Sequence, residues 1–144
     1  MYTLTTDLIV DEVMIDTDKI SVVGVNDIFR KVVSSIQSSG YGISCVVTDE
    51  LNLVGVITDG DIRRVVLSDQ RPFSSIFLDN SIEFVSENSI IIESGTGIVE
   101  ALTAMQDAKI WDAPVVKNNK LIGLLHLHSV VGHILKKIQW NLPL

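Results

Sequence analysis

Leu53-Val54-Gly55-Val56-Ile57-Thr58-Asp59-Gly60-Asp61-Ile62-Arg63-Arg64 is the stretch that decides how this chain folds. Leu53 to Ile57 is apolar and partly β-branched, the pattern of a covered strand. Thr58-Asp59-Gly60-Asp61 breaks that run with a hydroxyl, two carboxylates and a permissive backbone. Thr58 or Asp59 can cap a helix starting there. The N–H groups and partial positive charge of a helix N-terminus suit a phosphate. Arg63 and Arg64 add two fork-shaped donors one turn further on. These residue types together predict a site for a phosphorylated, hydroxyl-bearing small molecule, with an Asp accepting from ribose hydroxyls.

The same passage returns downstream. Lys120-Leu121-Ile122-Gly123-Leu124-Leu125-His126-Leu127-His128-Ser129-Val130-Val131 repeats the apolar-Gly-apolar strand and the polar break before a helix. Cys45-Val46-Val47-Thr48-Asp49 precedes the first copy and Ala113-Pro114-Val115-Val116-Lys117 the second. Further upstream, amphipathic segments run from Ile28 to Ser38 and from Ile98 to Lys109. The chain is therefore an internal duplication. The first unit, with its lead-in, is assigned to residues 1–71 and the second, with a short tail, to 72–144.

Composition sets bounds. The 144 residues, 47% of them hydrophobic, can bury a real core and exclude a disordered chain. No apolar run approaches the ~20 residues of a membrane span, and the start lacks a signal-peptide pattern, so a cytoplasmic protein with no membrane partner is expected. The net charge of −7 argues against a nucleic-acid surface. Cys45 lies in an apolar strand with nothing basic beside it, which predicts a buried, unreactive thiol.

Taken in order, Asp7 to Met14 is expected to form a short helix with Leu8, Ile9, Val13 and Met14 on one side. Ile20 to Val23 is a strand, and Asn26 or Asp27 caps a helix from Ile28 that Gly40 ends. Ile43 to Thr48 and Leu53 to Ile57 form a hairpin, Ile62 to Leu67 begins a helix and Pro72 bounds it. Phe73 to Phe77 stands where Val10 to Met14 stood. Ser89 to Glu93 is a strand, Ile98, Val99, Leu102 and Met105 mark a helix, and Asn118-Asn119 turns a hairpin. Val130 to Ile138 is the last helix. Gly95 and Gly97 lack the third glycine or the Lys-Ser/Thr of a phosphate loop and read as a turn.

Two sharper chemistries fare less well. His126 and His128 could share a strand face and bind zinc, but no Cys or third ligand lies nearby and His133 sits on the following helix. A hydrogen-bonding or phosphate-facing pair is expected instead, with no metal. Asp59, Asp61 and His126 could do acid–base work, yet no set of nucleophile, base and orienting group emerges. Trp111 reads as a packing element or cleft wall, with base stacking as the alternative role.

Each half resembles a CBS domain, and the pair resembles a Bateman module. The order strand-helix-strand-strand-helix, Val46-Val47 before the hairpin and Gly55-Val56-Ile57-Thr58-Asp59-Gly60-Asp61 carry that likeness over nearly the whole chain. More narrowly, Val10-Asp11-Glu12-Val13-Met14, the Thr58-to-Arg64 stretch and Gly123-Leu124-Leu125-His126-Leu127-His128 resemble the C-terminal half of arabinose-5-phosphate isomerases of the Kdo pathway. In that family a sugar-isomerase domain precedes the pair. Nothing in this sequence matches it, so the chain resembles an excised regulatory part or a free-standing relative. Sugar nucleotidyltransferases also carry such pairs.

The resemblance implies an α/β fold of two tandem β-α-β-β-α repeats with pseudo-two-fold symmetry and two clefts between them. It implies a non-catalytic regulatory module for an adenine nucleotide or a CMP-sugar, with no required cofactor. Thr58 would contact phosphate or ribose, Asp61 the ribose hydroxyls, and the strand around Ser44 would line the base. Arg63, Arg64, His126 and His128 are further candidate ligand contacts. His126 and Ser129 replace the hydroxyl and the Asp in the second repeat, so one competent cleft, in the first repeat, is expected. A homodimer through the helices after each hairpin is implied as well. A nucleotidyltransferase regulator and a purely structural dimerisation module are the alternatives.

Overall fold

The computed structural model describes residues 7–86 and 89–140. Its elements are β1 (Ile15–Asp16), β2 (Ser21–Gly24), α1 (Phe29–Ser39), β3 (Ile43–Val47), β4 (Leu53–Thr58), α2 (Asp59–Ser68), α3 (Phe73–Ile76), β5 (Ile92–Glu93), α4 (Ile98–Ala108), β6 (Asp112–Lys117), β7 (Lys120–His126) and α5 (Leu127–Trp140). They form two sheets, in the orders β2-β3-β4 and β1-β7-β6-β5. In each, the first strand of the repeat runs parallel to the second, and the second pairs antiparallel with the third. The expected duplication is thus present, strand for strand.

The hairpins close through residues that tolerate a left-handed backbone. Asn118 and Asn119 have φ of 50° and 65° and join Lys117 to Lys120 in a two-residue turn. Gly40 ends α1 at φ 80°, its N–H donating to Ile36 O. The two hairpins also meet each other. Leu53 N–H donates to Asn119 O at 2.9 Å, Leu121 N–H donates to Leu51 O at 3.1 Å, and Lys120 Nζ reaches Glu50 O at 2.6 Å.

Side chains alternate across each sheet, so each sheet serves two cores. Val23, Phe29, Val32, Ile36, Val46, Ile57 and Ile76 pack between the first sheet and α1. Ile98, Ala101, Met105, Ala113, Val115, Leu125 and Val130 do the same around α4 and the second sheet. Between the sheets lie Ile43, Cys45, Val47, Leu53 and Val56 from one half with Val116, Leu121 and Leu124 from the other. That shared core makes one body of the two repeats. At roughly 25 cal/mol per Å² of apolar surface, each fully covered Leu or Ile in it contributes about 1.5–3 kcal/mol.

The segments leading into each repeat pack on the other one. β1 pairs with β7, Val10 N–H donates to Thr96 O and Ile98 N–H to Leu8 O. In turn Phe29 N–H donates to Asp79 O, Ser81 N–H to Asp27 O, and Ser86 N–H to Val56 O. Gly55 and Gly123 lie under these two crossings, against Val85 and against Met14 and Ile15 respectively.

Several local expectations differ. The Asp7–Met14 helix is a 3-10 turn over Val10–Glu12, with Val10 and Val13 buried and Ile9 exposed. The N-cap of α1 is Ile28, with no side-chain cap; Asp27 instead accepts from Gly24 N–H at 2.7 Å and pairs with Lys31. β5 is confined to Ile92–Glu93. α5 starts at Leu127, one turn before the expected Val130, because His128 and Ser129 continue the helix.

Candidate functional site

Thr58 ends β4 and caps α2. Its Oγ1 accepts from Asp61 N–H at 3.2 Å and donates to Asp61 Oδ2 at 3.0 Å, while Thr58 N–H donates to Asp61 Oδ2 at 2.9 Å. This reciprocal capping box answers two of the helix's unpaired donors. Arg64 Nη2 donates to Asp61 Oδ1 at 2.7 Å. The Asp61 carboxylate is buried, but the Arg64 side chain is 65% exposed and can swing away. A hydroxyl that takes Oδ1 from Arg64 frees the guanidinium for an anion. Arg63 is exposed beside it. Gly42 closes the other side: its carbonyl accepts from Asp59 N–H, and a Cβ there would lie 2.9 Å from Asp59 Oδ2. Thr58, Asp61 and Arg64 are therefore brought together at one helix N-terminus, with Arg63 exposed on the same turn of α2.

Ser44 is not brought to them. It is wholly buried, and its hydroxyl accepts from Ser21 Oγ at 2.7 Å; Ser21 Oγ also lies 2.6 Å from Ser35 Oγ on α1. Alternation turns Ser44 with Val46 toward α1, whereas Ile43 and Cys45 face the other sheet. Burial pushes the Cys45 thiol up to about 12, with the negative charge of Asp112 adding to the effect.

At the end of β7, His126 holds the place of Thr58. Leu127 N–H donates to Trp111 O there, as Asp59 N–H does to Gly42 O. His126 Nδ1 lies 2.6 Å from Asp112 Oδ1, and the two residues are register partners across β6 and β7. Burial pushes the Asp112 carboxyl up, and its bond to His126 opposes that. Tyr41, from the first half, sets its ring edge-on to His126 at 5.0 Å, and the His128 ring lies 6.3 Å away. No group of three or more metal-ligating side chains converges among the described residues. Trp111 is 71% exposed, so it is not a packing element of the core. Sequence reasoning passed over Tyr41 and Asp112. The signal for Asp112 was available: it is a carboxylate where the other repeat has Ile43.

The sequence matches the model of the CBS domain twice, over residues 10–68 and 81–136. It is 30% identical over 123 residues to the uncharacterized protein RP505 of Rickettsia prowazekii, covering 85% of this chain and 37% of that one. It is 27% identical over 124 residues to the arabinose 5-phosphate isomerase KdsD of Salmonella typhimurium, covering 85% of this chain and 36% of the isomerase. The chain thus spans little more than a third of these relatives. Among solved structures, that of CBSX2 in complex with AMP superposes with a TM-score of 0.78 at 21% identity, over 90% of this chain and 98% of that one.

Proposed function

Because the chain belongs to the CBS domain family, with both repeats matched, we propose that it is a regulatory module that senses a nucleotide or nucleotide sugar at the N-terminus of α2. The observation that carries this is the constellation of Thr58, Asp61 and Arg64. It sets a hydroxyl, a carboxylate and a movable guanidinium at the end of a strand, where a helix begins. Asp61 Oδ1 receives the ribose hydroxyls, Arg64 leaves it to meet the phosphate, and Arg63 adds a second cation. CBSX2, of the same fold, forms a complex with AMP, which supports an adenine nucleotide as the first ligand to try. Calorimetry against AMP, ATP and a CMP-sugar tests the proposal. Saturable binding that Asp61→Ala weakens supports it; no binding of any of the three at millimolar concentration removes it.

The likeness to KdsD favours a second element of the same reading: the ligand signal is passed to an adjoining or associated sugar-isomerase domain. The chain performs no isomerisation itself. Interconversion of arabinose 5-phosphate and ribulose 5-phosphate by the purified chain, surviving repurification, would overturn this. A homodimer is part of the proposal. Val66 and Leu67 on α2 and Val131 and Leu135 on α5 are exposed apolar residues on the helices that follow the two hairpins.

A further inference from the structure

Asp61 uses its two carboxylate oxygens differently. Oδ2 accepts twice from Thr58, from the backbone N–H at 2.9 Å and from the hydroxyl at 3.0 Å, and so belongs to the cap of α2. Oδ1 is the oxygen the cap leaves over, and Arg64 Nη2 holds it at 2.7 Å. The site thus carries a cation of its own on the atom that a ligand hydroxyl would need. The second repeat has no counterpart: Ser129 and Gly132 stand where Asp61 and Arg64 stand in the first.

The Arg64 guanidinium reaches back one turn toward the start of α2. It lies across Gly60, where a Cβ would stand 3.6 Å from Nη1 and 3.7 Å from Nη2. A helix N-terminus carries partial positive charge, so a cation is out of place there unless a carboxylate holds it. Among the described residues Asp61 alone pairs with Arg64, whose side chain is largely exposed. Such a pair opens readily. What opening it costs depends on the ligand. A hydroxyl that takes Oδ1 and brings no anion leaves the guanidinium unpaired at the positive end of the helix. A ligand that brings a phosphate with its hydroxyls gives the guanidinium a stronger partner than the one it lost.

We propose that the Asp61–Arg64 pair is an internal occupant of the site that selects for phosphorylated ligands: Arg64 opposes an unphosphorylated nucleoside and favours the corresponding nucleotide. This rests on the nucleotide-sensing reading and deepens it, because Arg64 acquires opposite effects on two ligands that differ by one phosphate. A guanidinium that served only as a phosphate contact would leave the nucleoside untouched. One that served only the helix would touch neither.

Calorimetry on the full chain with AMP and adenosine, and with CMP and cytidine, is the test. In Arg64→Ala the nucleotide is expected to bind roughly tenfold more weakly. The nucleoside is expected to bind about two- to fivefold more tightly, in keeping with the strength of a partly exposed ion pair. A nucleoside that binds Arg64→Ala no better than wild type refutes the selection, while nucleotide binding that Asp61→Ala weakens leaves the sensor standing. Should Arg64→Ala fail to fold, salt decides in the unaltered chain. Added sodium chloride loosens the pair by screening, so it should strengthen nucleoside binding while it weakens that of the nucleotide. A nucleoside that salt weakens or leaves alone then refutes the selection by itself. If no nucleotide binds wild type, both readings fall.

Discussion

Gly55 and Gly123 hold equivalent places in the two repeats, each directly beneath the segment crossing over from the opposite half. A Cβ at Gly123 would lie 2.8 Å from the Ile15 carbonyl oxygen and 2.6 Å from Met14 Sδ. At Gly55 it would collide with Val85 Cγ1, a methyl that another χ1 rotamer can move. Gly123→Ala should therefore cost about 2–3 kcal/mol and Gly55→Ala about 1–2 kcal/mol. Urea unfolding of the two variants checks the order; equal or reversed losses would show that the crossings are not tightly seated.

Thr58 and Asp61 hold the start of α2, and in the proposed function they also carry binding. Loss of the cap in Thr58→Val should cost about 1 kcal/mol of stability. It should weaken nucleotide binding by about 0.5–1.5 kcal/mol, and Asp61→Ala by about 1.5–3 kcal/mol, roughly 10- to 150-fold. Affinities measured by calorimetry well below each variant's melting temperature separate the two effects. An Asp61→Ala chain that binds like wild type would place the ligand elsewhere.

Association should follow α2 and α5. Light scattering at tens of micromolar is expected to report a dimer, and Leu67→Asp, at a residue 78% exposed, to shift it toward monomer. A wild-type monomer under those conditions speaks against the interface.

Acid should loosen the crossing before it touches the cores. Asp11 is held below the usual carboxylate range by the Ser94 hydroxyl at 2.5 Å and by Gly95 N–H at 2.7 Å. Asp27 is also lowered: burial pushes it up, but Gly24 N–H and Lys31 outweigh that. Both folded values lie below the unfolded ones. Their stabilisation is thus present above the unfolded pKa of about 3.9 and lost as pH falls through the folded values. Asp11→Asn should remove about 1 kcal/mol at pH 7, solvent screening included, and flatten the fall in stability below about pH 5. Unchanged steepness in denaturant titrations at pH 3 to 6 would contradict this.

Cys45 should be inert in the native state. With its thiol pushed up to about 12 by burial, reaction with a disulfide reagent at pH 8 should await unfolding. Fast labelling without denaturant would mean that the core between the sheets opens locally.

Much of the architecture was legible because it is local. Alternating apolar residues, Asn118-Asn119, Gly40 and the Thr58–Asp61 spacing act within a few positions. The cluster at His126 was not, because pairing Asp112 with His126 depends on a strand register that shifts between Val115 and Val116. Ser44 misled for a related reason: whether it faces α1 or the other sheet depends on which side of β3 each core occupies. The start of α5 was missed because His126, turned to Asp112, stands at the boundary where Ser, Thr, Asp or Asn would have marked it. Asp27 misled in the opposite sense, as a good capping residue engaged by Gly24 instead.

The crossing of β1 onto β7 also sets a timetable for synthesis. Ile15 leaves the ribosome long before its register partner, Leu124. At about 5–20 residues per second, the interval between the two is roughly 5–20 s. Through that interval Val10 and Val13, both buried in the finished molecule, have no second sheet to cover them. The segment made before the first repeat is housed only after the second is complete, so the speed of translation enters the yield of folded protein, and a chaperone's natural client here is that waiting segment.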